Sequence, residues 1–108
     1  MEPKPKSLVE PEEFVKSFKN EYSKLENFVA MYYSGLDPTT GTYWCSDTRD
    51  ADPFVDKYII PKCQELNIKF IVVNCQDRTT FYDPEFILRK EMNVVEVPTI
   101  IYYKKVYL

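Results

Sequence analysis

The chain has 108 residues with 44% hydrophobic content and a formal net charge of −3, enough for one core and too short for two, so we expect a single domain over residues 1–108. No basic run exceeds Lys104-Lys105, which excludes the electrostatic footprint of a nucleic-acid binder; neither Met1-Glu2-Pro3-Lys4-Pro5-Lys6 nor any later stretch reads as a signal peptide or membrane span. Histidine is absent, which removes Ser-His and Cys-His catalysis and most catalytic zinc sites, and Cys45, Cys63 and Cys75 lack the close pairing of a zinc knuckle or disulfide framework.

The expectation is therefore a soluble cytoplasmic protein with reduced thiols, no metal, no cofactor, and neither nucleic acid nor membrane as partner. Residues 11–25 place Phe14, Phe18, Tyr22 and Leu25 at helical spacing, with Val15 beside them and lysines opposite, and predict an amphipathic helix. Pro11 suits its first turn, and Glu12 and Glu13 complement the positive end of the helix dipole. Residues 27–34, with Phe28 to Tyr33 all apolar or aromatic, predict a strand buried on both faces and ended by Gly35. Turn formers over residues 35–41 predict an exposed loop that delivers Trp44-Cys45 to the start of a helix. From residue 47 to about 66, Phe54, Val55, Tyr58, Ile59 and Leu66 fit that helix, which Pro53 and Pro61 bend or interrupt.

Residues 68–74 form a β-rich run, completing a βαβ unit with a right-handed parallel crossover. A polar loop over residues 75–82 then meets Asp83-Pro84-Glu85, an N-cap and first turn for a short helix through about Met92, closed by Asn93. Residues 94–103 read as a strand entered through Pro98, Lys104-Lys105 as a turn, and Val106-Tyr107-Leu108 as the start of a further strand. The pattern is α/β.

A thiol at the Cys45 position meets unpaired amides and the positive end of a helix dipole, which favours thiolate. Cys63 and Cys75 read instead as small buried hydrophobes. Trp44 beside the thiol reads as a shield and partner contact.

Trp44-Cys45-x-Asp47 opening a helix, followed by Val97-Pro98-Thr99 entering a strand, resembles the thioredoxin superfamily. The long loop before Trp44, the Asp47 position and Asn74-Cys75-Gln76 at a strand end are similar to the thioredoxin domain-containing protein 17 type, over roughly residues 12–103. The resemblance implies a thioredoxin-like fold, three layers α/β/α around a central mixed sheet. It also implies that Cys45 is a nucleophile, that Pro98 is cis and lies against it, and that Trp44, Ser46, Val97, Pro98 and Thr99 line a peptide-docking groove. Such sheets continue into another strand and a covering helix. Here the expectation divides between a last strand truncated at Leu108 and self-association through the incomplete sheet.

The family pattern Trp-Cys-Pro-Asp-Cys reads here Trp44-Cys45-Ser46-Asp47-Thr48, so Thr48 occupies the place of the resolving cysteine. A dithiol enzyme uses that second thiol to release its substrate from the mixed disulfide, which Thr48 cannot do. Its hydroxyl is a candidate donor to the Cys45 sulfur. The strand before the motif carries no acid, leaving Asp47 as the nearby carboxylate, as a dipole or N-cap charge before a proton-transfer group. Two functions follow: a thiol-disulfide oxidoreductase using Cys45 alone on protein or glutathione mixed disulfides, or a redox-degenerate binding or sensor module without turnover. The resemblance implies protein or peptide disulfides as partners, with glutathione or thioredoxin reductase as the source of electrons.

Overall fold

In a computed structural model of the chain, residues 7–105 are described. The architecture follows from β1 (Asn27–Tyr33), whose side chains alternate between two faces with the strand period of two. Phe28, Ala30 and Tyr32 enter one cluster, and Val29, Met31 and Tyr33 enter another. A strand buried on both sides must lie centrally, and β1 does. β2 (Lys69–Asn74) pairs with it in parallel, from Phe28 opposite Lys69 to Tyr33 opposite Asn74. β3 (Thr99–Lys104) pairs antiparallel, from Asn27 opposite Lys104 to Tyr32 opposite Thr99. The sheet is mixed, in the order β2-β1-β3, and Val9 adds a parallel bridge to Val73.

Helices cover both faces, giving the three layers expected. On one side α1 (Pro11–Asn20), α4 (Arg78–Phe81) and α5 (Ile87–Met92) pack Phe14, Val15, Phe81 and Leu88 against Phe28, Ala30, Tyr32, Ile71 and Val73. On the other, α2 (Ser46–Phe54), a π turn at Val55–Ile59 and α3 (Ile60–Glu65) bring Val55 and Cys63 to Val29, Met31, Tyr33 and Val72. Each fully buried side chain of this size contributes about 1.5–3 kcal/mol of hydrophobic transfer, so neither cluster is dispensable. Among the described residues no helix is long and apolar enough to cross a membrane, and no group of three or more Cys, Asp or Glu side chains could hold a metal ion.

Several boundaries differ from expectation, for local reasons. The first helix ends at Asn20; a 3-10 turn, Tyr22–Lys24, follows, and Leu25 is already extended. Pro53 and Pro61 lack the amide that an α-helix uses, and the wider π turn between α2 and α3 absorbs the misfit: the Ile60 amide reaches back to the Val55 carbonyl. Only one stripe of that helical segment meets the sheet. Val55, Ile59, Ile60 and Cys63 pack inward, whereas Phe54, Tyr58 and Leu66, which the sequence pattern also favours as core, are exposed. Asp83-Pro84-Glu85 is a turn and not a helix start, because the Asp83 carboxylate accepts the Glu85 amide at 2.9 Å and the Asp83 carbonyl accepts Phe86 N–H at 3.0 Å. The helix begins at Ile87 and closes, as expected, on left-handed Asn93. The preceding polar loop contains α4, capped by Asp77, whose carboxylate accepts the Thr80 amide. Residues 94–98 are not strand: Pro98 has no amide to offer a ladder, and β3 begins after it and runs through Lys104, with Lys105 N–H donating to the Glu26 carbonyl where a turn was expected. The readings over Met1–Lys6 and Val106–Leu108 lie outside the described residues.

Candidate functional site: a thiol at the head of α2

The loop between β1 and α2 is fixed by its own hydrogen bonds. Asp37 N–H donates to the Thr42 carbonyl and Gly41 N–H to the Asp37 carbonyl, each at 2.7 Å, and Leu36 bridges Tyr43. Gly41 takes φ +72°, a conformation that favours glycine. Trp44 emerges from this loop with its amide on the Gly35 carbonyl at 3.1 Å and its indole Nε1 donating to the Gln76 carbonyl at 2.6 Å. The same Gln76 oxygen accepts Gly35 N–H at 3.0 Å. The indole packs near Phe81 and Tyr82, and the Arg78 guanidinium lies over it, 4.6 Å from the ring centroid.

Cys45 is the flanking residue of α2, in extended backbone conformation, with its carbonyl accepting Arg49 N–H at 3.1 Å. Its amide donates to the Ser34 hydroxyl at 3.3 Å. The half-buried thiol faces the Val97 carbonyl, Sγ to O 3.5 Å, and the Val97–Pro98 peptide bond is cis. The Thr99 hydroxyl donates to the Glu96 carbonyl and closes the turn around that bond. Val97 is buried and packs in the same cluster as Trp44 and Cys45, and Pro98 and Thr99, which follow it in sequence, are half-buried.

The other motif residues separate. Ser46 and Asp47 are exposed in the first turn of α2; Asp47 makes no side-chain hydrogen bond among the described residues, and its charge acts through the helix dipole. The N-cap position belongs to Cys45, not to Asp47. Thr48 is fully buried, and its hydroxyl is not on the Cys45 sulfur: Oγ1 accepts the Ser34 amide at 3.5 Å. Cys63 and Cys75 are free and buried. Burial raises the Cys63 thiol above its ordinary value and pushes Cys75 up to about 12, which keeps both protonated and poor as nucleophiles.

Sequence reasoning missed four residues here. Ser34 receives the Cys45 amide, Gln76 anchors the indole, Arg78 covers it, and Asp52, half-buried on α2, accepts the Tyr33 hydroxyl at 3.0 Å. Burial first, and then the Asp52 charge, drive the Tyr33 phenol well above its ordinary value. A helix thus places a carboxylate beneath the sheet, although the strand before the motif carries none.

A family model described as thioredoxin domain-containing protein 17-like, thioredoxin domain, matches residues 7–107. The mouse protein named thioredoxin domain-containing protein 17 is 30% identical over 95 residues, covering 85% of this chain and 71% of that protein. With the sheet order, the helix-borne thiol and the proline turn already in place, these matches settle descent: the chain belongs to the thioredoxin domain-containing protein 17-like family of thioredoxin domains.

Proposed function

We propose that this chain is a thiol-disulfide oxidoreductase that works through Cys45 alone in a reducing compartment such as the cytoplasm. The Cys45 thiolate attacks one sulfur of a protein or glutathione mixed disulfide; the new S–S bond joins it to that half, and the other half leaves as a thiolate. An external thiol, glutathione above all, then attacks the mixed disulfide. The electron pair returns to Cys45, and the substrate half departs joined to the external thiol. Thioredoxin reductase is the weaker reductant candidate, because coupling to it is best served by an internal disulfide that Thr48 cannot form.

The observation that carries this reading is the pairing of a half-exposed thiol at the start of α2, 3.5 Å from the Val97 carbonyl, with a buried threonine three positions on. The same threonine favours a second reading, a binding or sensing module on a thioredoxin scaffold, in which the groove at Pro98 holds a partner and Cys45 does not turn over. Turnover of a glutathionylated peptide with excess glutathione separates the two. Wild type is expected to turn over and Cys45→Ser to fall to the uncatalysed rate. Activity in Thr48→Cys only would favour the binding module.

A further inference from the structure

Arg78 and Arg89 flank the aromatic group of Trp44, Phe81 and Tyr82 beside Cys45, Arg49 lies on α2, and the three are used differently. Arg89 donates from both Nε and Nη2 to the Phe81 carbonyl, at 3.2 and 2.8 Å, so its fork is spent on holding α4 to α5. Arg49 donates Nη1 to the Tyr43 carbonyl at 2.6 Å. Arg78 lies over the Trp44 ring at 4.6 Å and, among the described residues, its guanidinium makes no hydrogen bond or ion pair. No ion pair joins it to the adjacent Asp77, whose carboxylate instead accepts the Thr80 amide at 3.4 Å and the Thr80 hydroxyl at 2.6 Å. The indole beneath is itself anchored to Gln76.

A guanidinium held over an aromatic face keeps its planar set of donors available while losing little further rotamer freedom on binding. Such a fork matches a carboxylate in geometry and charge. Asp47 at the start of α2 and Glu96 ahead of Val97 are exposed acids on the thiol's flanks, and Arg49 is engaged by the Tyr43 carbonyl, so among the described residues beside the thiol Arg78 is the cation left to meet an anionic substrate group.

We propose that Arg78 is the specificity residue of this site and recognises a carboxylate carried next to the disulfide that Cys45 attacks. This rests on the thiol chemistry proposed above. The carboxylate can come from a glutathionyl half or from an acidic residue beside the disulfide of a protein substrate.

Trp44 is the only tryptophan in the chain, so its fluorescence reports the site directly. The probes are S-methylglutathione, which has no disulfide to exchange, its diethyl ester, and a short acidic peptide containing S-methylcysteine. Wild type is expected to bind the acid form of S-methylglutathione about tenfold more tightly than the ester, on the order of one charge-assisted contact, with the preference shrinking as salt rises. Arg78→Gln should bring the acid-to-ester ratio close to one, and Arg78→Lys should retain part of it. Tighter binding of S-methylglutathione than of the peptide identifies a glutathionyl carboxylate, and the reverse an acidic protein segment. Equal binding of acid and ester by wild type overturns the proposal. So does Arg78→Gln weakening both alike, which would mean that the guanidinium only supports the indole. A chain that discriminates acid from ester yet fails to turn over disulfides would sink the thiol chemistry and not the carboxylate site; turnover without acid preference would do the opposite.

Discussion

Ser34 and Thr48 are both completely buried hydroxyl residues, and a buried polar group is costly unless partnered. Each has a backbone partner: Thr48 Oγ1 accepts the Ser34 amide, and Ser34 Oγ accepts the Cys45 amide. The residue that replaces a resolving thiol therefore belongs to the structure that holds the remaining one. Thr48→Val keeps shape and volume while removing the acceptor, and is expected to cost about 1–2 kcal/mol through the stranded Ser34 amide, read from urea unfolding. An unchanged midpoint would show that the 3.5 Å contact carries no stability. Trp44, Cys45 and Pro98 were legible in the sequence because their motifs are contiguous and chemically distinctive. Ser34, Asp52 and Arg78 were not, because each acts through a partner distant in sequence and none has a residue type that announces a role.

At the scale of elements, the site depends on how closely β1 approaches the connection between β2 and α4. A Cβ on Gly35 would lie 2.9 Å from the Gln76 carbonyl oxygen and 3.0 Å from Asn74 Oδ1. That carbonyl also holds the indole, so it cannot retreat freely. Gly35→Ala is expected to cost about 1–3 kcal/mol, the range for forced overpacking, in thermal unfolding, and to lower turnover by displacing Trp44. Wild-type stability and activity would mean that the strand end yields. The helix and strand content was readable from periodicity, and β1 from its unbroken apolar run. Details failed where two signals competed. Asp83-Pro84 has the composition of a helix start, yet buried Phe86 and the Asp83 side-chain turn move the start to Ile87. The true cap signal was Asp77 followed by Thr80, inside a stretch read as loop. Phe54 and Tyr58 have the right spacing for a core stripe, but the sheet accommodates only the adjacent stripe through Val55 and Ile59.

Across the whole molecule, the two clusters enclose several acidic protons. Burial pushes the Cys75 thiol to about 12 and drives the Tyr32 and Tyr103 phenols upward; the two hydroxyls lie 2.8 Å apart between β1 and β3. The folded chain therefore keeps these protons to higher pH than the unfolded chain, where a thiol titrates near about 8.5 and a phenol near about 10. Their contribution to stability is complete below about pH 8 and is lost as pH rises toward 12. Denaturant midpoints are expected to fall across that window, less steeply in Cys75→Ala than in wild type; a flat profile would contradict the burial of these groups. The α/β class was legible from the succession of elements and the three layers from the family resemblance, whereas strand order came only with the folded chain. The shared Gln76 oxygen has one further consequence. Because it receives both the Gly35 amide and the Trp44 indole N–H, a single local opening exposes both protons to solvent. They should exchange with deuterium as a matched pair, one reporting the end of the central strand and the other the cover beside the thiol.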